Sequence, residues 1–362
     1  MIATLFAKAK QGLGIELTPE RVNIAQLEKS KQGIKVTALA SVPVPEGVFQ
    51  DGRILDTTAM ADTIRQGLEE KKIKLKLAAS AVPIGEAVIR LIKLPAELND
   101  FELRDMVLNQ EAALYLPFPR EEADVDFQKL GTTLDEDGIE RVEVLLVATP
   151  REITEAYINT FAQAGLQLDV LEVSSFALMR TLRDQLQQFA PGEAAALVDI
   201  EYDGTEISII MDGVPQFNRK VPIGTQQIQM AISRAMNLPP SMGVDLLTTM
   251  TVPVGNSDSF GAGGTNPSAA AILRVLGDLA DEIRRSIDFY LNQGDNLEIS
   301  QVLLAGPGAG LGQIDEFFTQ RLSYTATLID PVSALSLQVP PEVTTEKRPG
   351  LGVVMGLGLR GV

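Results

Sequence analysis

The stretch that most constrains the fold runs from Ala196 to Gly224, where two Asp-Gly pairs, Asp203-Gly204 and Asp212-Gly213, separate three short apolar runs. Asp-Gly between β-patterned segments favours a tight hairpin turn, because both residues tolerate positive φ. The spacing predicts strands over Ala196–Ile200, Ile207–Met211 and Gln216–Val221, with Asp199 at the tip of the first. An earlier segment repeats the plan. Gly14–Leu17 carries Glu16, Thr18–Arg21 reads as a turn, Val22–Glu28 alternates, Lys31–Gly33 turns again and Ile34–Ala40 returns. Two acid-tipped meanders in one chain imply a duplicated fold with two similar halves facing each other.

The chain has 362 residues, 45% of them hydrophobic and 22% charged, which predicts two globular domains rather than one core. A formal net charge of −17 argues against a nucleic-acid partner and against broad attraction to an anionic membrane. Histidine and cysteine are both absent. That removes Ser-His-Asp triads, His- or Cys-ligated zinc and disulfides, and it fits a cytoplasmic protein. Chemistry here would fall to carboxylates, lysine, tyrosine, hydroxyls or a bound cation. No apolar run approaches the roughly 20 residues of a spanning helix. The N-terminal segment through Gly12, with Lys8 and Lys10 behind a very short apolar patch, reads as a frayed terminus rather than a secretory signal.

Between the meanders, Ser41–Asp51 is a Pro/Gly-rich connection and Thr57–Lys71 is helical, with Met60, Ile64 and Leu68 on one face. Strands follow at Leu75–Val82 and Val88–Leu94. Asn99 or Asp100 caps a helix reaching about Tyr115, with Leu103, Met106, Val107 and Leu114 as its apolar side. The doubled proline of Leu116–Pro119 stops it. That segment reads either as part of a peptide-docking wall or as a plain helix stop with Phe118 in the local core. Strands at Val125–Leu130 and Arg141–Ala148 and a helix at Glu152–Ala164 complete an inserted α+β unit, placed at 89–169. After Gly224 the pattern gives a helix at Thr225–Met236 and an exposed loop over 251–267. Another helix runs from Ala269 to about Asn292, with Leu276, Leu279, Ile283, Ile287 and Tyr290 as its buried stripe. Ile299–Ala305 is a buried strand running into Gly306–Leu311, where glycines permit close backbone approach to a ligand before the next helix.

Five segments then fall in the order found in the actin-like ATPase superfamily: GIELTPERV (Gly14–Val22), EVSSFAL (Glu172–Leu178), VDIEYDGTEISII (Val198–Ile210), LLAGPGAGLGQI (Leu303–Ile314) and GVVMGLGLRG (Gly352–Gly361). They resemble that superfamily's first phosphate loop, connecting helix, second phosphate loop, adenosine loop and closing helix. The insertion resembles the FtsA-related branch. VIRLIKLP, EAALYLPFP, EVLLVATP and EIRRSIDFYL closely resemble the PilM family of type IV pilus assembly proteins.

The resemblance implies an α/β fold, a duplicated ribonuclease-H-like (actin-like) pair of lobes with an inserted α+β subdomain in the first. The first lobe then comprises 12–88 and the connecting helix 170–195, the second lobe 196–340, and the closing helix 341–362. It further implies a cytoplasmic scaffold, peripheral to the inner membrane. Such a scaffold binds the N-terminal cytoplasmic tail of PilN in a groove beside the insertion and contacts the pilus motor ATPases and platform protein. For ATP and Mg it implies Asp199 as organiser of metal-bound water, Glu16 and Thr18 in the first phosphate loop and Glu201 and Thr205 in the second. Gly306 and Gly308 fall beside the adenosine, and Glu282 and Arg285 on the base-and-ribose helix.

Two positions depart from the superfamily pattern. Thr18 and Glu201 stand where glycines usually meet phosphate, so Cβ atoms and a carboxylate enter the site. A carboxylate about 4 Å from a phosphate charge is repelled by roughly 4 kcal/mol at an effective dielectric of 20, about a thousandfold in affinity. A bridging cation would reverse that sign. The expectation is therefore a binding scaffold with weakened or lost nucleotide binding. The alternatives are an active ATPase or small-molecule kinase using Glu16, Glu172 or Asp199 as base, and a nucleotide-gated, filament-forming relative. As ordinary structure, Glu16 and Asp199 are strand-end carboxylates in water and Glu172 caps the helix after it.

Overall fold

Alternating apolar residues build three antiparallel strands, β1 (Gln11–Leu17), β2 (Arg21–Ser30) and β3 (Gly33–Pro43). They belong to a computed structural model that describes residues 11–31, 33–135, 137–237, 250–254, 267–294, 297–341 and 343–362. The N-terminal segment before Gln11 and most of the loop expected at 251–267 lie outside the described residues. The part of that loop that is described is packed: Val252 is buried in a core, and Thr251 bridges to Gly312.

A small hairpin of β4 (Phe49–Gln50) and β5 (Arg53–Ile54) leads to the helix Thr57–Glu70, whose first N–H groups, from Thr58 and Ala59, donate to Asp56. Next come β6 (Leu77–Val82), β7 (Val88–Pro95), β8 (Ala123–Leu134), β9 (Glu140–Pro150) and β10 (Gln167–Val173). β6 lies parallel to β1 and β10 parallel to β6, giving a sheet of order β10-β6-β1-β2-β3.

The second half repeats this arrangement. β11 (Glu193–Ile200), β12 (Thr205–Met211) and β13 (Val214–Val221) are the antiparallel meander, and β14 (Glu298–Ala305) and β15 (Ala326–Leu328) add in parallel. The order β13-β12-β11-β14-β15 is that of the first sheet read from its other end. The duplication extends to register: Glu16 pairs with Asn23 across β1 and β2, and Asp199 with Glu206 across β11 and β12. Asp212 (φ 53°) and Gly213 (φ 74°) form the expected turn. The other Asp-Gly pair turns differently. Neither Asp203 nor Gly204 has positive φ, and a longer loop closes when the Glu201 N–H donates to the Gly204 carbonyl at 2.9 Å.

Each lobe has its own core. In the second, the helix Pro267–Leu291 buries the whole expected stripe, Leu276, Leu279, Ile283, Ile287 and Tyr290, with Ile207, Ile209, Val302 and Leu304 in the same cluster. Each such side chain contributes about 1.5–3 kcal/mol by leaving water. In the first lobe, Ile153, Tyr157 and Phe161 of the helix Arg151–Gln163 join Met60 and Ile64 of Thr57–Glu70. The Arg151–Gln163 helix, read from sequence as part of the insertion, therefore packs with the lobe, because its buried face meets Thr57–Glu70.

The insertion has a separate small core. The sheet β7-β9-β8 carries Ile92, Leu94, Val142, Val144 and Leu146 against Leu103, Val107 and Ala112. Asn99 and Glu102 form a reciprocal cap at the start of its helix. Leu114, expected on the apolar side, is exposed instead. The stretch Met106–Glu111 is a π-helix, whose wider turn makes the buried positions Val107 and Ala112 five apart and rotates Leu114 outward.

The segment after Gly350 returns to the first lobe. The helix Gly352–Gly358 lies between β1 and the helix Ser174–Thr181. A Cβ on Gly356 would sit 1.9 Å from the Ala177 carbonyl oxygen, and one on Gly12 1.9 Å from that of Gly358. Glycine is what lets these backbones touch.

Candidate functional site

Both acid-tipped strands point their tips into the space between the lobes. Glu16, Thr18, Asp199 and Glu201 line a cavity of about 40 Å³, with Glu206 and Lys220 in the same wall. Such a volume holds one or a few waters, whereas small-molecule pockets enclose roughly 300–1,000 Å³. Asn23 Nδ2 donates to Glu16 at 3.0 Å, and Asp199 shares a hydrogen bond with Glu201. Burial raises the pKa of all four acids, most simply at Glu16, which reaches about 7, with Glu206 adding repulsion. Burial pushes Asp199 and Glu201 well above the usual carboxylate range; the charges of Glu206 and Glu16 raise both further, and that of Asp199 also raises Glu201. Among the described residues no three acidic side chains converge as a metal site.

The remaining expected ligands are occupied within the protein. Thr18 Oγ1 bonds both the N–H and the carbonyl of Arg21, closing the β1–β2 turn. Thr205 Oγ1 donates to the Ile223 carbonyl at 2.6 Å. Gly306 (φ 81°) and Gly308 lie against the end of β11, where Cβ atoms would meet the Ile200 carbonyl oxygen at 2.5 Å and the Ile200 Cγ2 at 2.3 Å. Their close approach is to protein backbone and side chain. Glu282 and Arg285 do not line the cavity. Glu282 accepts from Arg219 at 2.8 Å and from Arg285 at 2.6 Å on the flank of the second lobe.

Glu206 is the residue that sequence reasoning missed. Its two carboxylate oxygens cross from the second lobe to the first, accepting the Ile84 N–H at 2.8 Å and the Ser174 hydroxyl at 2.6 Å. Ser174 opens a helix whose N-cap, Val173, supplies no side-chain acceptor. A carboxylate at that positive helix end is stabilising. The signal was in the duplication: Glu206 occupies the position that Asn23 holds in the first meander.

A much larger space lies beside the insertion. A groove of about 1130 Å³ runs between β8 and β9, the strand β10 with the helix Ser174–Thr181, and the β12–β13 turn. Its apolar lining includes Phe127, Leu145, Val147, Leu171, Phe176 and Met179, and Asp124, Asp126, Glu193 and Asp212 add acidic groups. Leu116–Pro119, the sequence candidate for a docking wall, is not among the lining residues; the strand that follows it is.

Glu172, considered as a base, is a wall residue here. Arg180 donates two N–H groups to it at 2.6 Å, and Arg360 donates at 2.6 and 3.1 Å. Arg180 also reaches the Gly356 carbonyl at 2.9 Å, so the triad ties β10 to the closing helix. Apolar side chains with charged ones beside them suit a docked peptide.

A family model described as type IV pilus assembly protein PilM matches residues 14–243 and 271–362. A solved PilM-PilN type IV pilus biogenesis complex is similar over 97% of this chain and 98% of that chain, at 25% identity with a TM-score of 0.81. The ethanolamine utilization protein EutJ from Carboxydothermus hydrogenoformans is 14% identical, covering 96% of this chain and 89% of its own, with a TM-score of 0.55. MreB5 of Spiroplasma citri, bound to ADP, is 12% identical over 96% and 94%, also at 0.55. The last two share the two-lobed actin-like fold.

Proposed function

The chain belongs to the type IV pilus assembly protein PilM family, and from that membership we propose that it is a scaffold whose groove holds the N-terminal cytoplasmic tail of PilN. The observation that carries this reading is the groove itself: about 1130 Å³, part apolar and part lined by charges of both signs, at the junction of the insertion and both lobes. The whole-length similarity to a PilM-PilN complex supports PilN as occupant. Among the described residues no helix is long and apolar enough to cross a membrane. In this reading the protein is cytoplasmic and meets the inner membrane through its partner. It links that partner to the motor ATPases and platform protein.

The cleft does not drive the scaffold in this reading. Five carboxylates and about 40 Å³ of space favour weak or lost ATP binding and no hydrolysis. The test is a calorimetric titration of the full chain with a synthetic PilN tail peptide, with and without Mg-ATP. Binding that ignores nucleotide supports the constitutive scaffold. Binding that requires ATP would move the assignment to a nucleotide-gated adaptor, and absence of binding in both states would remove the PilN role.

A further inference from the structure

Both hydrogen bonds of Glu206 end on segments that also build the groove. Ile84 lies in the turn between Val82 and Ala87, two lining residues, and Ser174 begins the helix that presents Phe176 and Met179 to the groove. The strand that carries Glu206 runs on from the cleft to the groove: β12 starts at Thr205 and ends at Met211, just before the lining residues Asp212 and Gly213. The second lobe thus touches the cleft at one end of this strand and the groove at the other. We propose that Glu206 is a latch between the lobes, and that its release reshapes the docking groove.

The latch closes against a crowd of like charges. Glu16 faces it from β1, Asp199 and Glu201 from the end of β11, and Asp203 from the following loop. Tyr202 has Glu20 and Asp203 as charged neighbours, and the buried Tyr157 feels the charges of Glu86 and Glu206. Lys220, the cation lining the cavity, is paired with Asp203 at 2.9 Å. The closed cleft therefore holds protons that an open, hydrated cleft would give up. With carboxyl groups raised in the closed form, closure is favoured at low pH and lost as pH rises from about 4.5 through about 7, the value reached by Glu16.

The regulatory meaning rests on the groove being the docking site, but the test reads the groove without a peptide. Because the chain has no cysteine, spin-label pairs can be placed cleanly. Glu69→Cys with Gln320→Cys spans the lobes, and Gln128→Cys with Gln187→Cys spans the groove. Distances are followed from about pH 5 to about pH 8, the range in which such carboxylates titrate. Both distances should change together as pH rises. Glu206→Ala should adopt the high-pH distances throughout. Glu206→Gln keeps an acceptor for the Ile84 N–H but no charge, and should hold the closed distances to higher pH than the parent. Invariant interlobe distances in the parent and in both variants would overturn the latch. An interlobe change with a fixed groove distance would overturn the coupling. If Glu206→Ala does not fold, the parent titration and Glu206→Gln decide both points. A separate peptide titration on the same samples tests PilN binding by itself.

Discussion

Removing Glu172 tests whether this buried acid is a structural tie. Four N–H groups from Arg180 and Arg360 converge on it at 2.6–3.1 Å, and its side chain is only 4% exposed. Cutting one partner out of a buried ion pair costs about 3–5 kcal/mol, because the remaining charge is stranded. Here the arginines retain 25% and 44% exposure, so water recovers part of the loss. Glu172→Ala should then cost about 2–3 kcal/mol. At roughly 2–4 °C per kcal/mol for a lobe-sized unit, the midpoint falls by about 5 °C or more. Differential scanning calorimetry with urea unfolding measures it. The double change Glu172→Ala with Arg360→Ala should cost less than the sum of the two, since they share one contact. A Glu172→Ala midpoint within about a degree of the parent would refute the tie, given the scale of the expected shift.

Glu16→Gln should stabilise the protein above neutrality. The Glu16 carboxyl is raised to about 7, so its ionisation opposes folding increasingly from about pH 4.5 through about 7, and urea unfolding at pH 8 should show a gain of up to about 3 kcal/mol, with none at pH 4. Gly356→Ala forces a methyl group against the Ala177 carbonyl and should cost about 1–3 kcal/mol or more, read as a lower thermal midpoint. Met179→Glu places a charge in the lining of the groove; it should weaken PilN-tail binding at least tenfold, about 1.4 kcal/mol, while leaving the unfolding midpoint within about 2 °C.

The repeated meander was legible because its periodicity is local. Alternation, the Asp212-Gly213 turn and an acid at each strand tip suffice to place β1–β3 and β11–β13. What the sequence hid was set by packing across distance. Nothing in the residues around Met106 signals the π-helical turn that rotates Leu114 outward, since the wider turn answers to the small sheet beneath it. Glu206 reads locally as a polar residue in an alternating strand. Its role appears once the opposite lobe brings Ile84 and Ser174 to it. Gly306 and Gly308 read as places where backbone comes close to a ligand; the atoms that a Cβ would meet there belong to Ile200 and Asp199. A glycine pattern marks that space is scarce without saying what occupies it. The groove lay furthest from local reading, for its walls come from segments more than 80 residues apart.

The contact between β1 and the closing helix also sets an order of events during synthesis. Gly12 and Gly14 emerge from the ribosome some 340 residues before Val354 and Gly358, against which they pack. Until those last residues are made, one face of the first sheet, with Leu27 and Val36, lacks the neighbours Val354 and Met355. The second lobe waits on one face only: its main cluster falls between Ala194 and Ala326, whereas Ala195, Leu197, Leu303 and Ala305 share a buried cluster with Val353 and Leu357. One helix made late thus closes a waiting face on each half, and the two halves complete their burial together.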